Sequence, residues 1–330
     1  MADLKQAINI DAVNNTAKKY DKQLLILPKH DVLAVLKYFG ARLGVKSSIT
    51  ISELQDKFGN SKKYNGKFVG GEIGEVVPRE LKVRPCVFEL SEEPEKLRET
   101  FLNEIGVGKI LETTQFELFL IQRGLENASE DLFNALAIAK YDDDPAKLEL
   151  TDSFDGFLTI IDNEITAGNI STDKGNMYDP GEKITVANIG EKLKEMWRSS
   201  HKTFKAKAGG LMYMSVNMAE MYDDWYFANH EAWPGLDTSG QKTLEGTNGK
   251  CTIVPLGCIP DDNDQVILTQ DGVITYGTES LSDMKNLVAF PSGNPYAFTA
   301  TMKYLFGIQL NSIHERRFKV AKSYAEAETI

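Results

Sequence analysis

The sequence predicts an α+β fold with interrupted subdomains. Three observations carry this reading. Apolar residues recur at helical spacing in several separated segments, β-branched runs cluster in others, and the regular strand–helix alternation of a doubly wound sheet is missing. No internal repeat with a period of roughly 20–50 residues is present.

The elements follow in chain order. Residues 2–20 read as a short helix or arm, with Leu4, Ile8 and Ala12 or Val13 on one stripe and polar residues elsewhere, so this element needs another surface to dock on. Residues 29–43 predict a helix whose apolar stripe is Val32, Val35, Leu36 and Phe39. From 44 to 80 the chain becomes rich in Gly, Ser and Lys, with short β-branched runs around a polar middle. That pattern predicts a two-stranded excursion of strand, loose tip and strand, which is marginal in water unless it lies on another surface. Residues 81–90 predict a strand, with Pro85 placing it at an edge or an end. Thr114 and Glu117 stand at capping-box spacing, and apolar residues continue at mostly helical intervals to Lys140. One helix over 114–140 would be on the order of 40 Å long, while Gly124 and 127–129 are places where it would break in two.

Residues 154–170 carry an aliphatic run between turn residues. After Thr185, one helical face holds Val186, Ile189, Leu193, Met196 and Trp197. Residues 209–215 read as a short buried strand, and Ser215 as the N-cap of a following helix that packs Tyr222, Trp225 and Tyr226 into a core. Beyond Lys250 the pattern is strands, and 296–325 predicts two long ones separated by Asn311 and Ser312.

Composition bounds the function. A chain of 330 residues suffices for one large folded unit or two to three smaller ones. No apolar run reaches the roughly 18–20 residues that span a bilayer, and the N-terminus lacks the apolar core of a signal peptide. Cys86, Cys251 and Cys258 form no CxxC pair, which predicts buried, reduced thiols. The net charge of −11 disfavours a dedicated nucleic-acid binder but not a container. The charge is uneven: 57–67 holds four Lys and no acid, whereas 141–155 holds six acids and one Lys. Such segments either stay solvated or meet between neighbouring copies.

Catalytic motifs are missing. Neither His230-Glu231 nor His314-Glu315 continues to the spacing of a zinc-protease helix, and there is no GxxxxGK loop. Ser215 lacks the small neighbours of a nucleophile elbow. The run Asp261-Asp262-Asn263-Asp264 lacks the Gly and Glu that a calcium loop places at its sixth and twelfth positions, so a solvated turn is the expected reading. A metal-assisted hydrolase built on the Asp clusters is the competing enzyme class, without a ligand set at metal spacing.

The order of arm, Lys-rich β-excursion, VVPRELKVRPCVFEL strand, long helix and late strands resembles the major capsid protein of tailed bacteriophages, the HK-97-like fold. YMSVNMAEMYDDWY, VPLGCIPDDNDQVILTQDGVITYG and PYAFTATMKYLFGIQLNSIHERRFKVA are similar to its C-terminal half. The resemblance spreads over nearly the whole chain and rests on order more than on signature residues. It implies an N-terminal arm over 1–28 and a peripheral domain over 29–43, 81–160 and 292–330, holding a spine helix and long strands. It implies an extended loop over 44–80 lying across the adjacent subunit, and an axial domain over 161–291. It further implies self-assembly as hexamers and pentamers into an icosahedral head in the host bacterial cytoplasm. That head would enclose double-stranded DNA without sequence-specific binding, cofactor or membrane. Neighbouring capsomers, portal and decoration proteins are the implied partners. The excursion begins near residue 44, which leaves no long scaffolding segment ahead of it, so either a separate scaffold helps assembly or the protein does without one. Inter-subunit contacts are expected at Lys57, Lys62, Lys63, Lys67, Arg79, Asp261, Asp262, Asp264, Arg316 and Arg317. An encapsulin-type nanocompartment shell, which shares the shell fold but holds enzymes, is the alternative reading of the same resemblance.

Overall fold

The computed structural model describes residues 32, 35–56, 60–61, 63, 70–93, 116–206, 209–236, 240–290 and 297–322, with the backbone alone at 56, 116–119 and 285. The predicted arm and most of the Lys-rich tip lie outside the described residues.

The first sheet joins distant parts of the chain. Its strands are β1 (Gly40–Leu43), β4 (Arg84–Glu92), β9 (Ile274–Thr278), β10 (Val288–Phe290) and β11 (Phe298–Leu310). β11 is its spine. The N-terminal part of β11 pairs antiparallel with β4 and β10, and its C-terminal part with β9, which in turn pairs parallel with β1. The helix predicted over 29–43 therefore stops short: Val32, Val35 and Leu36 are helical and buried, but 40–43 is a strand. The reason is non-local, since the backbone of β1 is taken up by pairing with β9 far along the chain.

Helix α1 (Phe116–Ile138) is continuous across Gly124 and 127–129. It buries Leu120, Ile121, Leu125, Ala128, Leu132 and Leu136 in the first core, a stripe at helical spacing. Burial of that stripe outweighs the propensity penalty of one Gly. Its 23 residues span about 34 Å. Helix α2 (Phe157–Thr166) adds Phe157, Leu158, Ile160 and Ile161 to the same core.

The second sheet runs β5-β12-β8-β6-β7, with β5 at Met177–Tyr178, β6 at Gly210–Met214, β7 at Cys251–Pro255, β8 at Val266–Gln270 and β12 at Phe318–Ala321. Its strands read as continuous apolar runs because both faces are buried. Tyr213, Val254, Ile267, Phe318 and Val320 face the first core. Met212, Met214, Ile253, Val266, Leu268 and Ala321 face a second core, completed by helices α3 (Ile189–Arg198) and α5 (Val216–His230). A short helix, α4 (Lys202–Ala206), brings in Phe204. The expectation of two long C-terminal strands holds for β11, with 13 residues, but β12 has only four and crosses to the second sheet. Val186, predicted on the α3 face, precedes the helix and is exposed.

The predicted cap is present: the Ser215 hydroxyl accepts from the Met218 amide at 3.2 Å. Helices α3 and α5 cross closely, and a Cβ at Gly190 would sit 2.2 Å from the Trp225 ring. Ser215→Ala is expected to cost about 1 kcal/mol of unfolding free energy. Gly190→Ala is expected to cost about 1–3 kcal/mol, both measured by urea denaturation; equal stability of the Gly190 variant would show that the helix crossing gives way freely.

Candidate functional site

The third sheet is a two-stranded hairpin, β2 (Ser48–Asp56) with β3 (Gly74–Lys82), paired antiparallel from Ser48↔Lys82 to Asp56↔Gly74. These are the two strands expected from the sequence; most of the tip between them lies outside the described residues. Alternation gives it two different faces. The inner face carries Ile51, Glu53, Val77, Arg79 and Leu81, all half-buried or buried. On the outer face, Leu54 stands directly opposite Val76, and both are in solvent at 54% and 59% exposure. Ile73, just before β3, is 76% exposed.

The root of the hairpin is held by its own chain. Leu81 is fully buried, and β11 passes so close that a Cβ at Gly307 would lie 2.0 Å from the Lys82 carbonyl oxygen. The Arg79 guanidinium donates to the Glu164 carboxylate of α2 at 2.8 Å, with both side chains largely shielded. Ser312 donates to Glu53 at 2.5 Å, and the Gln309 amide donates to the Glu80 carbonyl at 2.8 Å. Between hairpin and body these contacts leave a polar cleft of about 840 Å3.

The sequence-predicted contact residues scatter. Lys57, Lys62 and Lys67 fall outside the described residues, and Lys63 is exposed. Arg79 is engaged by Glu164 of the same chain. Asp261 and Asp262 are exposed and Asp264 half-buried, far in sequence from the hairpin. They form a turn in which the Asn263 amide donates to the Pro260 carbonyl at 3.0 Å and the Asn263 side chain accepts from the Gln265 amide at 2.8 Å. Among the described residues, no three His, Cys, Asp or Glu side chains gather as a metal site. Arg316 and Arg317 do lie at the hairpin, lining a second cleft beside β2 together with Arg42, which sequence reasoning missed. Arg42 sits on a strand placed there by its pairing with β9, a contact with no local signal.

The cysteines are free and buried. Burial pushes the Cys86 and Cys258 thiols up to about 12, which keeps both protonated at neutral pH.

No family model matches the chain, and no curated protein matches it in sequence. Solved structures match it in fold. A chain of the satellite phage P4 procapsid, whose structure includes the size determination (Sid) protein, superposes with a TM-score of 0.55 at 8% identity, covering 97% of this chain and 94% of that one. A chain of Mycobacterium phage Bobi gives a TM-score of 0.51 at 10% identity over 89% of this chain and 91% of that one. The cyanophage A-1(L) capsid asymmetric unit gives 0.51 at 11% identity over 90% and 93%. The chain thus has the mixed α+β fold of tailed-phage capsid proteins.

Arg79→Ala is expected to loosen the hairpin root by about 1–3 kcal/mol. Hydrogen exchange should then accelerate in β2 and β3 while β8 keeps its protection; unchanged hairpin exchange would show that the ion pair does not anchor it.

Proposed function

We propose that this chain is the major capsid, shell-forming protein of a tailed phage, assembling as hexamers and pentamers into an icosahedral head that encloses double-stranded DNA. One observation carries the reading: on a capsid-type fold, a hairpin rooted by its own chain holds an apolar pair, Leu54 and Val76, out in solvent. Both side chains are already about half covered, so covering the remainder with a neighbour is worth about 1.5–3 kcal/mol for the pair before the cost of association. In the proposed HK-97-like layout, the first sheet with α1 is the peripheral domain and 44–80 is the extended loop lying across the next subunit. The second sheet with α3 and α5 forms the axial domain. Two bounds differ from the expected 161–291: β12 pairs in that second sheet, so the axial unit in this proposal also takes 318–321, and β9 and β10 pair with β11, so 274–278 and 288–290 go with the peripheral unit.

The role is structural rather than enzymatic, and the shell is the virion capsid, built in the host cytoplasm. A separate scaffold, a portal and decoration proteins are its proposed further partners. An acidic chain of net charge −11 suits a wall that contains DNA without gripping its sequence.

Purified protein is expected to form large closed particles by light scattering and negative-stain microscopy; a small monomer alone under assembly conditions would overturn the reading. Nuclease-protected DNA in particles from infected cells marks a head, whereas packaged protein marks a nanocompartment. Deleting 50–72 is expected to leave a folded chain that no longer assembles, and Leu54→Asp with Val76→Asp to do the same with unfolding stability changed by less than about 1 kcal/mol. Shells built by either variant would show that the hairpin is not the coupling element.

A further inference from the structure

The surfaces beside the hairpin carry opposite charge. Along β2, a cleft of about 370 Å3 is lined by Ile51, Leu54, Arg42, Arg316 and Arg317. Arg42 and Arg317 are exposed, and neither forms an ion pair with a described residue. Among the described residues that line this cleft the one acid is Glu53, which accepts from Ser312 at 2.5 Å.

A second surface is its complement. The acidic segment 141–155 starts where the Tyr141 ring lies 3.1 Å below the Arg84 guanidinium of β4, and it ends at Asp155, which lines the larger cleft with β3. Asp142 is paired with Lys147 at 2.5 Å, but Asp143, Asp144 and Glu149 are exposed and form no ion pair with a described residue. In their midst Leu148 is 88% exposed, the highest value among the large apolar side chains described.

We propose that the Arg-lined cleft of one copy receives the acidic segment of a second copy, with Leu148 entering beside Ile51 and Leu54 and the carboxylates of Asp143, Asp144 and Glu149, which keep only local hydrogen bonds to Tyr141, Ala146 and Thr151, meeting Arg42 and Arg317. The proposal rests on the shell-forming reading and names one contact of that shell. Guanidinium forks match carboxylates in shape as well as charge. Exposed ion pairs alone contribute little, and burial of Leu148 supplies what they lack. A nucleic-acid phosphate would satisfy the arginines but leave Leu54 and Leu148 in water, whereas the acidic segment satisfies both. The two surfaces differ, so the contact is heterologous, and repetition about an axis closes it into a ring.

Charge reversal tests this in the full-length chain. Arg42→Glu with Arg317→Glu, and separately Asp143→Lys with Glu149→Lys, are expected to raise the concentration needed for particle formation by about tenfold. All four reversals in one chain are expected to bring it back near the starting value, because every contact then pairs reversed charges. The native cysteines are buried, so Leu148→Cys with Leu54→Cys should yield a ladder of intermolecular disulfides in particles. Circular dichroism verifies that each variant is folded. Charge variants that assemble like the starting protein, a four-fold variant without recovery, or particles without the disulfide ladder would each overturn the proposal. Unimpaired assembly of the Arg variant with loss of retained DNA would assign the cleft to nucleic acid and overturn it as well. If the starting protein never assembles, the shell-forming reading fails first, which is a separate result.

Discussion

The second sheet is buried on both faces, and the rest of the molecule is arranged around that constraint. Successive residues of β6 point alternately into two cores: Met212 and Met214 into one, Tyr213 into the other. The same strand thus closes the layer under α1 and α2 and the layer under α3 and α5, so neither can be removed without exposing the other. Even the charged residue among its described strands obeys this geometry. Lys319 of β12 is 4% exposed, and burial lowers its pKa. Its ammonium group donates at 2.9 Å to the carbonyl of Ser199, the C-cap of α3, where a helix end favours positive charge.

That rigid body gives the hairpin something to lean on. A two-stranded ribbon with no core of its own is marginal in water, and here its root is fixed by Leu81, by the close passage of β11 at Gly307, and by the Arg79–Glu164 pair. The division of labour follows the pleat. Ile51, Glu53, Val77, Arg79 and Leu81 face the ribbon's own chain, while Leu54 and Val76 on the other face remain available to another. A register slip of one residue would exchange the two sets, so the nine-pair register is itself part of the surface.

Much of this was legible in the sequence where the signal is local. The N-cap at Ser215, the stripe on α3 from Ile189 to Trp197 and the β-branched runs of the hairpin each follow from side chains a few residues apart. What was not legible depends on partners far along the chain. Residues 40–43 continue a helical stripe on paper but become a strand through β9, and β12 is cut to four residues because its neighbour is β8 rather than β11. The arginine cleft was half-visible for the same reason: Arg316 and Arg317 stand together in the sequence, but Arg42 joins them only through the β1–β9 pairing. The acidic run at 261–264 was legible as a turn, and the turn that forms is held by Asn263 through Pro260 and Gln265.

The strengths of the exposed elements also fit a shell that is built from repeated contacts. A rim ion pair contributes at most about 1 kcal/mol, and a half-exposed Leu or Val buried by a neighbour about 1–1.5 kcal/mol. Single contacts of this size dissociate readily, so a misplaced subunit can leave. In the proposed shell, once a ring closes, every subunit is held on two sides and contacts act together, which would turn individually weak association into a lasting wall. A larger apolar face on the hairpin would bind its first neighbour more tightly but would also fix errors and invite aggregation of the free chain. Two exposed apolar side chains facing each other across the ribbon, close to a charged flank that dictates which surface they meet, satisfy both requirements.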